Sequence, residues 1–138
     1  MAVYNEQFSN GIPFMAASAK RFISELNKLA NAMKSGEGRQ YVMFTLHYLK
    51  DYCETYLALE NRIMLKHCFY DESNHTALHA GFKEDVQNLI RRYEECGSEH
   101  SIPLAVQQLM AGWLMRHIGK QDKVLSDYLM SMLKKKQT

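Results

Sequence analysis

The sequence predicts an all-α protein, folded as an antiparallel up-down-up-down four-helix bundle. Helix-breaking residues are few, because the 138-residue chain has only two prolines and seven glycines, most of them at the ends of long periodic segments. Leu, Met, Lys, Glu and Ala are common while Val and Ile are sparse, which favours helix over sheet. Apolar residues recur at a helical period in four segments joined by short turns, the pattern of a helical bundle.

The first two predicted helices span residues 14–34 and 39–67. Pro13 suits the first turn of a helix, where its missing N–H group leaves no hydrogen bond unmade. The turn between these helices reads Ser-Gly-Glu-Gly at residues 35–38. Both helices carry a broad apolar face, so we expect each to bury one side in a common core.

The third predicted helix starts at Asp71 or Ser73, either of which is a suitable N-cap, and ends at Cys96 before Gly97. The fourth covers residues 101–133. Gly119 interrupts its apolar pattern, which predicts a local bend in the last helix.

Composition indicates one domain over residues 1–138, with an N-terminal arm (1–12) and a basic tail (134–138). Hydrophobic residues make up 46% and charged residues 23%, typical of a globular protein. Seventeen basic and 15 acidic residues give a net charge of only +2, which argues against a nucleic-acid partner. No apolar run approaches the ~18 residues of a membrane span, so no membrane partner is expected. We expect a cytoplasmic protein, because no signal peptide is visible and three scattered cysteines do not form a disulfide framework.

Two histidines at the start of the third helix form a candidate metal-binding pair. His75 and His79 are spaced four residues apart, so both side chains leave one helical face one turn apart. Two imidazoles at this spacing can bind one metal ion, although surface pairs of this kind also occur by chance. The pair alone therefore leaves both interpretations open.

A histidine and an aspartate in the last helix, His117 and Asp122, lie five residues apart on either side of Gly119. In an unbroken α-helix this spacing would place them on different faces, but a local bend could bring them together. Glu60 lies on an otherwise apolar stripe of the second helix. A buried carboxylate needs an ion-pair partner, a hydrogen bond or a metal ion, because burying it bare is costly.

These motifs resemble those of the hemerythrin family. The chain carries the family's last-helix pattern W-L-x-x-H-I-x-x-x-D-K in full over residues 113–123. His75, His79 and Phe82 match its third-helix pattern H-x-x-x-H-x-x-F, and Glu60 matches its second-helix glutamate. The resemblance extends over nearly the whole chain and implies a hemerythrin-like bundle with a non-haem metal site.

The chain departs from the family at two histidines. Ala19 stands where the family has its first-helix histidine, and Tyr56 stands where it has its second-helix histidine. In the family these two histidines bind one of two irons, while the other iron takes three histidines and shares two carboxylates. The resemblance therefore implies that only the ligands of the three-histidine iron remain: His75, His79, His117, Glu60 and Asp122.

The resemblance implies iron as the cofactor, with one ion rather than two. Zinc or manganese also suits three imidazoles and two carboxylates, so the donor set does not select the metal. The alternative is a hydrogen-bonded polar core without metal, in which three histidines and two acids would be expensive to bury. His47, His67 and His100 are expected to stay outside the metal site.

Four further residues are expected around the metal ligands or in the altered second half-site. Tyr56 lies four residues before Glu60, and its phenol is expected to donate to Glu60 or Asp122, or to bind a ferric ion as phenolate. Alternatively, the Tyr56 ring only packs in the core and its hydroxyl forms a hydrogen bond elsewhere. Ala19 would leave room for this ring, Cys53 lies on the predicted stripe of Glu60, and Trp113 opens the last-helix motif.

The resemblance implies binding of O2 or a related small ligand, such as NO or peroxide, for sensing, storage or scavenging. The family's reversible O2 binding uses electrons from both irons, so loss of one iron removes part of that chemistry. The alternatives are an oxidative or peroxide-handling enzyme at a mononuclear or remodelled centre, and a degenerate bundle with a structural metal. The sequence indicates no oligomeric state.

Overall fold

The structure, a computed structural model, describes residues 11–97, 99 and 101–137. These residues form helices joined by short connections and include no strand, which confirms the prediction of an all-α chain. They make four continuous helical segments, two of which contain a π-helical stretch. In chain order the elements are α1 (Pro13–Lys34), α2 (Gly38–Asp51), a first π segment (Tyr52–Leu57), α3 (Ala58–Lys66), α4 (Glu72–Cys96), α5 (Ser101–Trp113), a second π segment (Leu114–Gln121) and α6 (Asp122–Gln137).

The helix ends lie close to those predicted. Pro13 occupies the first turn of α1, as its fixed φ favours. Asp71 precedes the first residue of α4 but makes no side-chain cap; its Oδ2 instead accepts a hydrogen bond of 3.1 Å from Asn74 Nδ2. Gly97 ends α4 with a φ of 66°, a backbone conformation that residues with a side chain rarely adopt.

Most of the predicted N-terminal arm, residues 1–10, lies outside the described residues, as does Thr138 of the predicted tail. Ile12, at the end of that arm, is buried and belongs to an apolar cluster. His100 also falls outside the described part of the chain. No helix within that part is both long enough and apolar enough to cross a membrane.

The two π segments interrupt the second and fourth helical segments. The second one, Leu114–Gln121, contains Gly119 and corresponds to the bend predicted there. The first one, Tyr52–Leu57, was not predicted, because no glycine or proline marks it. A π-helical turn accommodates an extra residue, so each segment shifts the helical register of the residues on either side.

The helices pack around two apolar clusters. α1 contacts α2 and α5, α2 also contacts α4 and α5, and α4 contacts α5. The larger cluster includes the fully buried residues Phe22, Leu29 and Leu49. The smaller cluster includes Met15 and Leu125.

Buried polar residues lie in three of the helical segments. Along the sequence, they fall between residues of the larger cluster and residues of the smaller cluster. Glu60 separates Leu57 of the larger cluster from Met64 of the smaller one. The two histidines of α4 lie in the same way between Phe69, in the connection before α4, and Phe82. Hydrophobic burial on both sides therefore fixes the level at which the polar side chains meet.

Candidate metal centre

Five buried polar side chains meet at one point of the core. Each offers one nitrogen or oxygen atom, and these five atoms all lie within 4.8 Å of one another. None of the five residues is more than 3% exposed. This group could hold a metal ion. Its members are Glu60, His75, His79, His117 and Asp122.

The individual distances are short and nearly equal. Glu60 Oε1 lies 3.1 Å from His75 Nε2 and 3.2 Å from His79 Nε2. Asp122 Oδ1 lies 3.2 Å from His75 Nε2 and 3.1 Å from His117 Nε2. The Nε2 atoms of His79 and His117 are 3.2 Å apart. The sequence prediction brought the same five residues together, and we refer to them below as the polar cluster.

α4 supplies two of the three imidazoles from its first turns. His75 and His79 are one helical turn apart, with ring centroids separated by 4.6 Å and planes nearly perpendicular at 88°. Both direct Nε2 toward the carboxylates, as the distances to Glu60 show. The four-residue spacing thus delivers two convergent nitrogen atoms.

The second π segment aligns His117 with Asp122. In a π-helix the backbone bond joins residues five apart, so residues at that spacing lie on one face. His117 lies inside the segment and Asp122 directly follows it, with 3.1 Å between Nε2 and Oδ1. The irregularity predicted at Gly119 is therefore a π-helical stretch. It places His117 and Asp122 on one face, whereas an unbroken α-helix would place them on different faces.

The hydrogen bond between His79 and Asn61 determines which ring nitrogen of His79 carries the proton. His79 Nδ1 lies 2.6 Å from Asn61 Oδ1, an oxygen that only accepts, so Nδ1 carries the proton and donates it. Burial lowers the pKa of His79, which keeps the ring neutral although Glu60 opposes the shift. The Nε2 atom of His79 then presents a lone pair to the polar cluster.

Two acceptor atoms consequently face each other across 3.2 Å, namely His79 Nε2 and Glu60 Oε1. Such a pair repels unless a cation lies between or beside the two atoms. Asp122 Oδ1 also has no hydrogen-bond partner, although two histidine nitrogens lie within 3.2 Å of it. The atoms therefore point toward a shared centre, which fits a metal ion.

The pKa values within the cluster reflect strong interactions between its acids and its imidazoles. Burial lowers the pKa of His75, but its contacts with the carboxylates of Asp122 and Glu60 outweigh burial and raise it to about 9. Burial raises the pKa of Glu60, yet its contacts with His75 and His79 bring the pKa well below the ordinary value. The carboxylates that favour a proton on His75 would also attract a divalent cation, so a proton and a metal ion would compete for the cluster.

Trp113 and Tyr52 pack directly beside the polar cluster. The indole of Trp113 stacks on the His117 ring, with centroids 3.8 Å apart and an interplanar angle of 7°. Its Nε1 donates a hydrogen bond of 3.1 Å to the hydroxyl of Tyr52. Burial, followed by the charges of Asp122 and Glu60, raises the pKa of Tyr52 well above its ordinary value. Trp113 was among the predicted surrounding residues, whereas the sequence analysis missed Tyr52.

Tyr56 lies beside Glu60, and its pKa is raised by burial and then by the charges of Glu60 and Asp122. A neutral phenol fits this environment, and its hydroxyl helps to keep Glu60 ionised. The ring stacks on Tyr52 at 5.4 Å and meets Phe14 at 6.3 Å. Ala19 is buried in the core against which Tyr56 packs, and its methyl side chain offers no ligand atom.

Cys53 is buried, but its charged neighbours are Lys83 and Glu54 and not the carboxylates of the cluster. Burial, which outweighs the lowering effect of Lys83, raises the pKa of Cys53 to about 12. The first π segment explains the difference from the predicted stripe. One extra residue rotates the residues before it by about 100°, so Tyr52 takes the place expected for Cys53.

Asn61 is a second residue that the sequence analysis missed. A polar residue directly after a predicted ligand was the one available signal, and it is weak. Among the described residues, His47 and His67 stay outside the polar cluster, as expected.

Two surface clefts reach the cluster histidines. A cavity of about 280 Å³ runs between the second helical segment and α4 and is lined by Asn61, Thr76 and His79. A cavity of about 430 Å³ on the other side of α4 is lined by Trp113, Arg116 and His117. Each cleft is thus bordered by one histidine of the polar cluster.

In comparisons with known proteins, no family model matches the chain and no curated protein matches it significantly.

Proposed function

We propose that this protein binds one metal ion in a hemerythrin-like site formed by the polar cluster, and that the ion binds a small ligand. The observation that supports this most strongly is the convergence of five buried donor atoms within 4.8 Å. The facing acceptors of His79 and Glu60 add a reason for a cation at that point. Two carboxylates would balance the charge of a divalent ion.

The proposed metal is iron, on the strength of the family resemblance. Zinc and manganese bind the same donor types and are the alternatives. The five donors would leave one position of an octahedral ion open for a ligand such as O2, NO or peroxide. The bound ion would supply electrons or Lewis acidity to that ligand.

We also propose that the helices are arranged as in hemerythrin, in an antiparallel up-down-up-down bundle. Contacts of α1 with α2, α2 with α4, α4 with α5, and α5 with α1 support it, because they form a closed ring of neighbours. The short connections at residues 35–37 and 67–71 support it as well, since they favour antiparallel neighbours.

A single ion is favoured because the second half-site has no imidazole ligands. Ala19 offers no donor atom, and Tyr56 is a neutral phenol that lies in the apolar core and beside Glu60. Glu60 Oε2 is buried without a hydrogen-bond partner, and a buried carboxylate oxygen needs a donor such as the hydroxyl of the neighbouring Tyr56. The proposed role of Tyr56 is to hold this oxygen once the first ion is bound.

Metal analysis of the purified protein, combined with anomalous scattering at the iron and zinc edges, tests the proposal. We expect one ion per chain, located within coordinating distance of the polar cluster. A protein that stays metal-free after incubation with Fe(II), Zn(II) and Mn(II) would contradict it.

Optical spectra in air and under N2, with an assay of peroxide turnover, then separate the three candidate functions. An O2-dependent band supports small-ligand binding, and peroxide turnover supports an enzyme. A colourless metal-bound protein without turnover supports a structural role.

A further inference from the structure

A row of oxidisable aromatic side chains leads from the polar cluster toward the protein surface. Trp113 stacks on the cluster residue His117 at 3.8 Å, and its indole N–H donates to Tyr52 at 3.1 Å. The ring of Tyr52 lies 6.0 Å from that of Tyr48. All of these separations are within the range of direct aromatic contact.

The two ends of this row differ in their environment. Trp113 and Tyr52 are 8% and 4% exposed, so both lie inside the core. Tyr48 is half-buried, and the exposed guanidinium of Arg21 lies 5.3 Å above its ring. Beyond Tyr48 the aromatic contact is with Phe22, whose ring is much harder to oxidise. Among the described residues the row thus ends at a half-buried tyrosine at the edge of the core.

We propose that Trp113, Tyr52 and Tyr48 form a relay that carries one oxidising equivalent from the metal centre to the protein surface. The inference rests on the proposed function, because the ion bound by the polar cluster is the inner end of the relay. Trp113 and Tyr52 have the side chains that lose a single electron most readily, and each touches the next. The function assigned to the relay is to deliver oxidising equivalents to an external reductant at Tyr48.

Peroxide is the oxidant in the proposed step: it would take up two electrons and two protons and yield two water molecules. A bound Fe(II) ion would supply one electron, and Tyr48 would supply the other through Tyr52 and Trp113. Tyr48 also releases its phenolic proton to solvent, so it becomes a neutral radical, and solvent supplies one further proton.

A branch of the row leads to Tyr56, which stacks on Tyr52 at 5.4 Å. Its hydroxyl interacts with Glu60, inside the protein. A radical on Tyr56 would therefore remain next to the metal ligands, whereas a radical on Tyr48 is open to a reductant. Because Tyr56 lies inside the protein and Tyr48 at the edge of the core, we place the outer end of the relay at Tyr48.

Tyr128 provides a matched control. Its hydroxyl donates to the backbone oxygens of His67 and Cys68, and its ring contacts Phe69 at 5.2 Å. Phe69 in turn meets the cluster residue His75 at 6.2 Å. Tyr128 is thus one contact closer to the cluster than Tyr48 is, but its route passes through a phenylalanine.

The experiment reacts the iron-loaded protein with hydrogen peroxide, freezes it and records the electron paramagnetic resonance spectrum, with iron content measured on every sample. We expect a tyrosyl radical in the parent chain and the same radical in Tyr128→Phe. In Tyr48→Phe the hyperfine pattern should change, because the oxidising equivalent stays on an inner side chain. Tyr52→Phe should remove the parent radical while helicity and iron content stay at parent levels. A radical with the parent hyperfine pattern in Tyr48→Phe or in Tyr52→Phe, or a radical that disappears only in Tyr56→Phe, overturns the relay. Full iron content without any radical in the parent chain also overturns it, whereas absence of bound iron overturns the proposed function instead.

Discussion

The 2.6 Å contact between Asn61 and His79 shows how one uncharged side chain can set the ligand chemistry of its neighbour. An oxygen acceptor at Nδ1 holds the imidazole ring in one orientation and leaves the lone pair on Nε2. In this role asparagine differs from a carboxylate, because it accepts the same hydrogen bond without adding a charge to the cluster.

We therefore expect Asn61→Leu to weaken metal binding by about 10- to 100-fold, since the buried Nδ1–H group loses its acceptor. Competition with a chelator, with Zn(II) as the probe, measures the change. Thr76→Val is the matched control, because the threonine hydroxyl makes only a 3.5 Å contact with the same oxygen. Equal affinities in Asn61→Leu and the control would show that Asn61 does not position the ligand.

Removal of one proposed ligand gives a sharper outcome. His117→Ala should weaken metal binding by at least about 100-fold, beyond the effect expected of an outer partner such as Asn61. Metal content after desalting is the measurement, and His47→Ala is the control because that histidine lies outside the cluster. Full metal content in His117→Ala would mean that the ligand assignment is wrong.

The sequence predicted the residues of the polar cluster but not all of their neighbours. His75 and His79 follow from a regular helical spacing, and Gly119 marked the irregularity that aligns His117 with Asp122. Tyr52 escaped prediction because nothing in residues 52–57 marks a π segment. A helical wheel at 3.6 residues per turn then assigns the face of Tyr52 to Cys53.

At the scale of helical elements, the two π segments have related effects. The second brings Asp122 level with His117, and the first turns Tyr52 toward the indole of Trp113. An irregularity in a long helix is thus a means of aiming a side chain that the regular period would direct elsewhere. π segments of this kind are frequent at functional sites.

For Gly81, inside α4, and Gly97, directly after it, we expect alanine substitutions to have opposite effects on stability. Gly97 adopts a φ of 66° and a ψ of −149°, so we expect Gly97→Ala to lower the free energy of unfolding by roughly 1–3 kcal/mol. Gly81 lies within α4, where an added Cβ would meet no atom within 4 Å. Gly81→Ala should raise the free energy of unfolding by roughly 0.5–1 kcal/mol. Urea unfolding of both variants measures the difference, and destabilisation by Gly81→Ala would contradict the helical assignment at that position.

At the scale of the whole molecule, the polar cluster ties together three of the four helical segments. Its residues come from α3, α4, the second π segment and α6, which lie up to 62 positions apart in the chain. The unfolded chain does not hold these residues together. Metal binding therefore favours the folded state as a whole, not just one element.

We expect a metal concentration of 100 times the dissociation constant to add about 2.7 kcal/mol to the free energy of unfolding. Thermal unfolding followed by circular dichroism, with and without a chelator, measures this stabilisation. His47→Ala should keep it and His117→Ala should lose it. An unchanged midpoint in the parent chain, with the metal shown to be bound, would mean that the unfolded chain binds the metal equally well.

Trp113 is the only tryptophan in the chain, and its indole lies 3.8 Å from the ring of a proposed metal ligand. Its fluorescence therefore arises from a single place, in contact with the site. An ion with unfilled d orbitals bound through His117 should quench that emission, whereas Zn(II) should change it far less. Titration with Co(II), with Zn(II) as the comparison, would then report site occupancy in solution without any attached dye. An emission that ignores both ions while they bind would place them away from His117.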